Sequence, residues 1–164
     1  MSICLADDEV DVSAFVRVGA YLVAPKYIAP VGIGTNDVRD AILYARARGF
    51  DVPTPELVND IWKAADLKVD PHPLPHDGSE RMLQSKELRE IYAGIVSDAV
   101  VRQVQRAPER PWHLIAGTHT DVVQLGCGFG VYGWHRLDGR PLQPPMHAKG
   151  THYTMGLRLV KKVA

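Results

Sequence analysis

The sequence predicts an α+β fold in a single domain spanning residues 1–164, with an N-terminal strand, about three helices and a mainly antiparallel C-terminal sheet. Apolar residues recur at helical spacing through the middle of the chain, whereas the last third changes to short alternating runs typical of strands. The 164 residues, 46% of them hydrophobic, are enough for a core of ordinary domain size without disulfide staples.

Opposite charges balance in this chain, since 19 lysines and arginines accompany 19 aspartates and glutamates. A neutral chain has no general field that attracts nucleic acid or anionic lipid, so we expect neither partner. The start, MSICLADDEV, lacks the pattern of a secretory signal, and no stretch has the roughly twenty apolar residues of a membrane helix. The two cysteines, Cys4 and Cys127, fit a reducing compartment, so we expect a cytoplasmic or phage-particle protein.

The N-terminal strand is predicted over residues 10–23, VDVSAFVRVGAYLV, because β-branched and aromatic residues dominate and partly alternate. The Gly-x-Gly at Gly32 and Gly34 lacks the third glycine of a dinucleotide site, so we interpret it as a turn.

The three helices are recognised by cap residues and apolar spacing. The first helix is predicted from Asn36 to Gly49. The second is predicted from the cap Thr54 and the first helical residue Pro55 to Ala65, and the third from Ser85 to Arg106. The apolar stripe of the long helix is predicted to be Leu88, Ile91, Tyr92, Ile95, Ala99 and Val100. Between the second and third helices, residues 70–80 contain PHPLPHDG and predict a linker-like loop, where His72 and His76 are more typical of solvated residues than of metal ligands.

Strands are predicted from residue 113 onward in HLIA, DVVQ and GFGVYGWHRL, with a hairpin turn at Asp138-Gly139. Three prolines then predict an extended loop over residues 141–145, and alternation over 153–160 predicts a last strand. This block also holds five of the seven histidines, which points to chemistry in the last third of the chain.

One interpretation of the histidines is a metal site. His119 and Asp121 are two apart on a predicted strand, so they point to the same face, and His135 lies on the next strand. With His147 or His152 these residues form the donor set of a catalytic zinc that keeps one position open for water.

A second interpretation needs no metal. A histidine oriented by a carboxylate, either His119 with Asp121 or His135 with Asp138, is a general base toward water or toward a nucleophile. Cys127, between two glycines, is the candidate nucleophile, and Arg136 or Arg158 is the candidate to stabilise developing negative charge.

A third interpretation has no catalysis. Aromatic and basic side chains around the predicted hairpin have the composition of a recognition surface. They are Tyr132, Trp134, His135, Arg136 and Arg140. In that case the protein is a structural or accessory protein, a homo-oligomer or part of a virion.

Four blocks, VPTPELVNDIWKAADLKVDPHPLP, LIAGTHTDVV, VYGWHRLDGRPLQP and YTMGLRLV, resemble a family of bacterial and phage proteins. The resemblance covers residues 21–160 and implies no activity. The last block is also similar to the Ser-His-Gly-Cys-x-Arg-Leu ending of L,D-transpeptidases, which implies a cell-wall substrate. Here Thr154-Met155-Gly156-Leu157 stands in that place, without the histidine and the cysteine.

The leading hypothesis from the sequence is therefore a hydrolase-type enzyme that acts on peptidoglycan or another peptide-like bond through His119, Asp121 and His135. The alternative is the assembly protein with an aromatic hairpin.

Overall fold

The computed structural model describes residues 4–5, 9–30 and 37–163, and confirms the α+β class. Its helices are α1 (Val38–Ala47), α2 (Pro55–Ala64), α3 (Glu80–Leu83) and α4 (Lys86–Arg106). Its strands are β1 (Val16–Val18), β2 (Tyr21–Val23), β3 (Leu67–Lys68), β4 (Ile115–Ala116), β5 (Thr120–Leu125), β6 (Gly128–His135), β7 (Pro141–His147), β8 (Met155–Gly156) and β9 (Val160–Lys162). The Gly-x-Gly at residues 32–34 lies outside the described residues.

The helix starts follow from their caps. The Thr54 hydroxyl accepts a hydrogen bond from the Leu57 N–H at 3.3 Å, and the Ser85 hydroxyl accepts one from the Leu88 N–H at 3.1 Å. Both starts agree with the sequence. Helix α1 is capped by Asp37, whose carboxylate accepts from the Arg39 N–H. The predicted cap Asn36 lies outside the described residues.

Helix α4 buries a narrower stripe than the sequence predicts. Its buried residues follow strict i, i+4 spacing: Leu88, Tyr92, Val96 and Val100. Ile91 and Ile95 are 47% and 36% exposed, so their prediction as core residues is wrong. Each precedes a buried residue by one position, and one step along an α-helix rotates the side chain about 100° away from the core.

The predicted N-terminal strand is divided into three parts. Residues Val12–Ala14 form a 3-10 helix, which begins where the Asp11 carboxylate accepts from the Ser13 N–H. Strands β1 and β2 then form an antiparallel hairpin whose turn contains Gly19 at φ +58°. The hydrogen bond to the Asp11 side chain and the turn at Gly19 therefore interrupt a segment that the residue pattern predicts to be one continuous strand.

The largest sheet has the order β7-β6-β5-β8. Strands β5, β6 and β7 pair antiparallel as predicted, and Gly139, at φ +89°, lies in the turn before β7. The predicted extended loop after that turn is instead strand β7, on the sheet edge, where prolines without an N–H are tolerated. The pairs β5–β8 and β3–β4 are parallel, which the sequence does not predict.

The C-terminal segment joins the largest sheet to the sheet β1-β2-β9. The predicted last strand is divided into β8 and β9, and residues 157–159 between them bond to residues 24–28. The Ala24 N–H donates to the Leu159 carbonyl at 2.9 Å, and Ile28 and Leu157 exchange two bonds of 2.8 Å. The N-terminal segment therefore lies against the C-terminal one.

The proline-rich loop is attached to the body of the protein. Residues 69–79 contain neither helix nor strand, as the sequence predicts. The Leu74 N–H donates to the Tyr153 hydroxyl at 2.9 Å, and the His76 ring meets Tyr153 edge-on with centroids 5.9 Å apart. The loop therefore covers the side chain of Tyr153.

The α4 packing leads to a stability prediction. Val96→Ala removes two buried methyl groups and should lower the free energy of unfolding by about 2 kcal/mol. Ile91→Ala is the matched control on the exposed face and should change it by less than about 0.5 kcal/mol. Urea denaturation measures both, and equal losses would contradict the burial of Val96 and the exposure of Ile91.

Candidate functional site

A pocket of about 390 Å³ lies between the first turns of α4 and the N-terminal segment. Its mouth carries charged side chains, among them Lys86 and Glu90, which are 81% and 67% exposed. Its inner end is formed by buried residues: Tyr92, His119, Tyr153 and Met155. A volume of this size matches that of small-molecule sites.

Cys4 and His119 face each other at the inner end of this pocket. An isolated bridge to Tyr27 and the bond from the Leu5 N–H to the Tyr27 carbonyl, 2.9 Å, hold Cys4 in place. The Cys4 Sγ lies 3.9 Å from the His119 Nε2, and the other ring nitrogen, Nδ1, lies 2.8 Å from the Thr118 hydroxyl oxygen. With the proton on Nδ1, Nε2 accepts from the thiol.

Burial keeps both members of this pair neutral. Burial and, to a smaller extent, the charge of Arg158 lower the pKa of His119 to about 3. Burial raises the pKa of the Cys4 thiol to about 11, against the opposite effect of the Lys26 charge. The resting state at neutral pH is therefore a thiol beside an uncharged imidazole.

Two tyrosines enclose the His119 ring. The ring centroid lies 5.0 Å from that of Tyr27 and 5.9 Å from that of Tyr92. The Tyr92 hydroxyl donates to the Thr118 carbonyl, so it also fixes the residue before His119. Gly156 completes the enclosure, because a Cβ there would lie 2.7 Å from Tyr27 and 2.8 Å from the His119 Cβ. The imidazole therefore has one orientation.

Asp121 is bonded to Tyr27 and not to His119. The Tyr27 hydroxyl donates to Asp121 Oδ2 at 2.8 Å, and the other oxygen, Oδ1, is buried without a hydrogen-bond partner among the described residues. Burial raises the pKa of this carboxyl to about 7, while the Arg158 charge and the Tyr27 bond oppose the shift. Asp121 thus positions Tyr27, which packs against His119.

Arg158 is fully buried behind Tyr27. Its guanidinium donates to the Ala24 carbonyl at 2.8 Å and to the Ile115 carbonyl at 2.6 Å, and it lies 4.0 Å from the Tyr27 ring centroid. It is not among the residues that line the pocket, so its predicted role in stabilising charge on a substrate stays a prediction. Its contacts make it a structural cation.

The structure brings His135 near His119 and Asp121 without a direct bond. All three line a cavity of about 10 Å³ enclosed by α2, β4 and β6, which is room for about one water molecule. The His135 Nε2 lies 2.8 Å from Asn59 Oδ1, which also accepts from the Tyr132 hydroxyl. The predicted trio therefore converges on one cavity, but other partners take its hydrogen bonds.

The position of His135 depends on an irregularity in β6. The β6–β7 register shifts between Val131 and Gly133, and Trp134 has φ +56°, which non-glycine residues rarely adopt. Strict alternation along the strand does not predict the direction of His135.

The remaining predicted site residues lie elsewhere. Cys127 is exposed in the β5–β6 turn, at the far end of β5 and roughly 20 Å from His119 by strand length. Arg136 is exposed in the β6–β7 turn, and His147 is exposed at the end of β7. His152 lies 2.9 Å from the Thr154 hydroxyl, and burial lowers its pKa to about 4. None of them lines the pocket at Cys4.

Within residues 4–5, 9–30 and 37–163, no group of three or more His, Cys, Asp or Glu side chains is placed to hold a metal ion. Among these residues, the predicted set of His119, Asp121, His135, His147 and His152 does not form one donor group. The zinc hypothesis stays a prediction.

Sequence analysis missed Cys4 and Tyr27. Cys4 contacts His119 across 115 positions of the chain, and no spacing or motif connects two residues that far apart. Only a prediction that the N-terminal segment pairs with residues 157–159 would have placed Cys4 at the site.

Family models, curated proteins and solved structures were all compared with the chain, and none matches it. In the part of the chain that the structure describes, no helix combines the length and the apolar character needed to cross a membrane.

The buried carboxyl gives a pH-dependent prediction. Asp121 titrates near pH 7 in the folded protein and near about 3.9 when unfolded, so between these values only the folded state keeps the proton. Asp121 therefore makes the free energy of unfolding fall as pH rises through this range. His119, with its lowered pKa, contributes the opposite slope.

Asp121→Asn removes the pH-dependent contribution of Asp121 to the free energy of unfolding and leaves that of His119. The asparagine also keeps a hydrogen-bond acceptor for the Tyr27 hydroxyl. The variant should gain stability relative to the wild type between pH 4.5 and pH 7.5, measured by urea denaturation at each pH. Asp98→Asn, an exposed position on α4, controls for the lost charge. A stability difference that is constant across this range would contradict a buried carboxyl at position 121.

Proposed function

We propose that the protein is a hydrolase-type enzyme that cleaves a peptide-like bond, with Cys4 as the nucleophile and His119 as the general base. The contact of 3.9 Å between the Cys4 Sγ and the His119 Nε2, at the inner end of a pocket, supports this proposal. The proposal keeps the role of His119 predicted from the sequence and replaces Cys127 by Cys4.

The neutral resting pair defines the reaction steps. His119 Nε2 takes the thiol proton as Sγ attacks the carbonyl carbon, and a tetrahedral intermediate forms. An imidazolium whose pKa is this low is a strong acid, so it returns the proton to the leaving amine as the carbon–nitrogen bond breaks. His119 then deprotonates water, which hydrolyses the thioester and regenerates the thiol.

Other residues position the pair. The Thr118 hydroxyl lies 2.8 Å from Nδ1 and thereby orients the ring, and when it accepts the Nδ1 proton in a hydrogen bond, Nε2 is the acceptor. Tyr27 and Asp121 hold the ring from behind. We therefore assign Thr118, Tyr27 and Asp121 as positioning residues, and we assign no catalytic role to Arg136 or Cys127.

Peptidoglycan stem peptides are the substrate that the similarity of the last block to L,D-transpeptidases implies. The matching residue Gly156 lies in the wall behind His119 rather than in the reacting pair. The similarity thus supports a peptide-like substrate through a shared ending, while the proposed chemistry rests on Cys4 and His119.

Acyl transfer to Cys4 tests the function. p-Nitrophenyl hexanoate serves as the probe, and a rapid acid quench followed by intact-mass and peptide analysis locates the acyl group. Cys4→Ala and His119→Gln should each lower the steady-state rate by about 100-fold or more. The wild type should carry one hexanoyl group, on Cys4.

Cys127→Ala is the matched control, because it removes the exposed thiol outside the pocket. It should keep both the rate and the label at Cys4, and circular dichroism should show that every variant is folded. A label on Cys127 only, or an unchanged rate in Cys4→Ala, would contradict the proposal.

A second candidate function is assembly through the β6–β7 hairpin. The predicted aromatic patch is not on the surface, since Tyr132, Trp134 and His135 are each at most 7% exposed. The hairpin instead exposes Leu137, Leu142 and Met146 beside the edge strand β7. This apolar edge favours contact between copies of the chain.

Light scattering after size exclusion tests this alternative. An assembly protein should form oligomers that Leu142→Glu dissociates, while Leu43→Glu, an exposed leucine on α1, leaves them intact. A wild type that is monomeric at all concentrations contradicts the assembly function and does not affect the enzyme proposal.

A further inference from the structure

We infer that the pocket at Cys4 and His119 binds an acyl compound with an apolar middle segment and a carboxylate at its far end, held at the pocket mouth by Arg89 with Lys86. The inference rests on the proposed function, because it names the substrate class of the same site.

The walls between the mouth and the inner end favour an apolar segment. They are built from Ala29, Pro30, Ala93, Tyr153 and Met155, whose side chains in the pocket are mainly carbon. The inner end adds no net charge, because burial keeps the Cys4 thiol and the His119 imidazole neutral. A polar or charged segment would lose its hydration here without gaining partners.

The mouth has an excess of positive charge. Lys86, Arg89 and Glu90 line it, and Lys86 lies 3.5 Å from Glu90 in an exposed ion pair that offsets one of the two cations. Arg89 has no acidic partner among the described residues. Its Nη1 donates to the Gln84 carbonyl at 2.8 Å, which fixes the guanidinium beside the opening.

The helix adds to this charge. Lys86 and Arg89 lie in the first turn of α4, which begins after the cap Ser85. Glu87 lies in the same turn but outside the pocket lining, so this end of the helix of 21 residues has two cations and one anion at the positive end of its dipole. An anion at the mouth offsets both the helix dipole and the unpaired guanidinium. A carboxylate also matches the planar donors of arginine.

The cations at the mouth, the apolar walls and the buried Cys4–His119 pair follow one another along the pocket, and this sequence determines the order of the chemical groups in the ligand. The reacting carbonyl must reach Cys4 and His119 at the buried end, whereas the anion stays at the exposed mouth. From Arg89 to Tyr92 and Ala93 the helix rises by roughly 5 to 6 Å, which several methylene groups span. A polar stem peptide fits such walls poorly, so the pocket narrows the proposed peptide-like substrates to those with an apolar segment.

Titration calorimetry on the full chain with decanoate tests the binding chemistry. Decanoate has the apolar chain and the carboxylate but no bond to cleave. Decyltrimethylammonium has the same chain with a positive head group. Wild-type protein should bind decanoate about tenfold more tightly than decyltrimethylammonium, and Arg89→Gln should reduce this preference to about twofold or less.

Two further variants locate the site. Ala93→Phe places a ring in the pocket from an exposed helix position, so it should weaken decanoate binding by about tenfold while the helix content stays unchanged. Arg102→Gln, on α4 outside the pocket lining, is the matched control for Arg89→Gln and should bind decanoate as the wild type does. Equal affinity for both head groups in wild-type protein, or unchanged binding in both Arg89→Gln and Ala93→Phe, would overturn the inference.

The experiments can contradict the inferred substrate class and the proposed function independently of each other. Charge-selective binding with no acyl group on Cys4 would overturn the proposed function alone. Acylation of Cys4 without any head-group preference would overturn the substrate class alone.

Discussion

The buried guanidinium of Arg158 is the constraint on which the rest of the structure depends. A charge without solvent exposure is costly unless it is bonded, so Arg158 requires the carbonyls of Ala24 and Ile115 and the face of Tyr27. These contacts hold the segment after β2 against β4 and the C-terminal chain. Tyr27 is thereby fixed, and the bridge to Tyr27 carries Cys4 to His119.

The same burial determines the chemistry of the site. Burial, and in second place the cation behind Tyr27, lowers the pKa of His119 and keeps it neutral. Burial also raises the pKa of the Cys4 thiol and keeps it protonated. Asp121 lies close enough to accept from Tyr27, and its burial favours the protonated carboxyl. The proposed chemistry therefore starts from a neutral thiol and a neutral imidazole, not from a preformed ion pair.

Local signals in the sequence were sufficient for α1, α2 and α4, but they did not predict the short helix α3. Thr54 with Pro55, and Ser85, mark helix starts through bonds made within three residues. Features that depend on distant partners were not predictable in this way. Strand β7 forms because it pairs with β6 at the edge of the sheet. Cys4 contacts His119 only because residues 24–28 pair with the end of the chain. For the candidate site, the sequence suggested that His119, Asp121 and His135 lie close together, and they share one cavity. The hydrogen bonds expected among them are instead made between Asp121 and Tyr27 and between His135 and Asn59.

The most direct measurement of the central claim is a nuclear Overhauser effect between the Cys4 Hβ protons and the His119 Hε1 proton, in protein with labelled cysteine and histidine. Because Sγ and Nε2 are 3.9 Å apart, the account predicts a clear cross-peak. The absence of that cross-peak, with assigned resonances for both residues, would show that the N-terminal segment does not bring the thiol to the imidazole and would contradict the account.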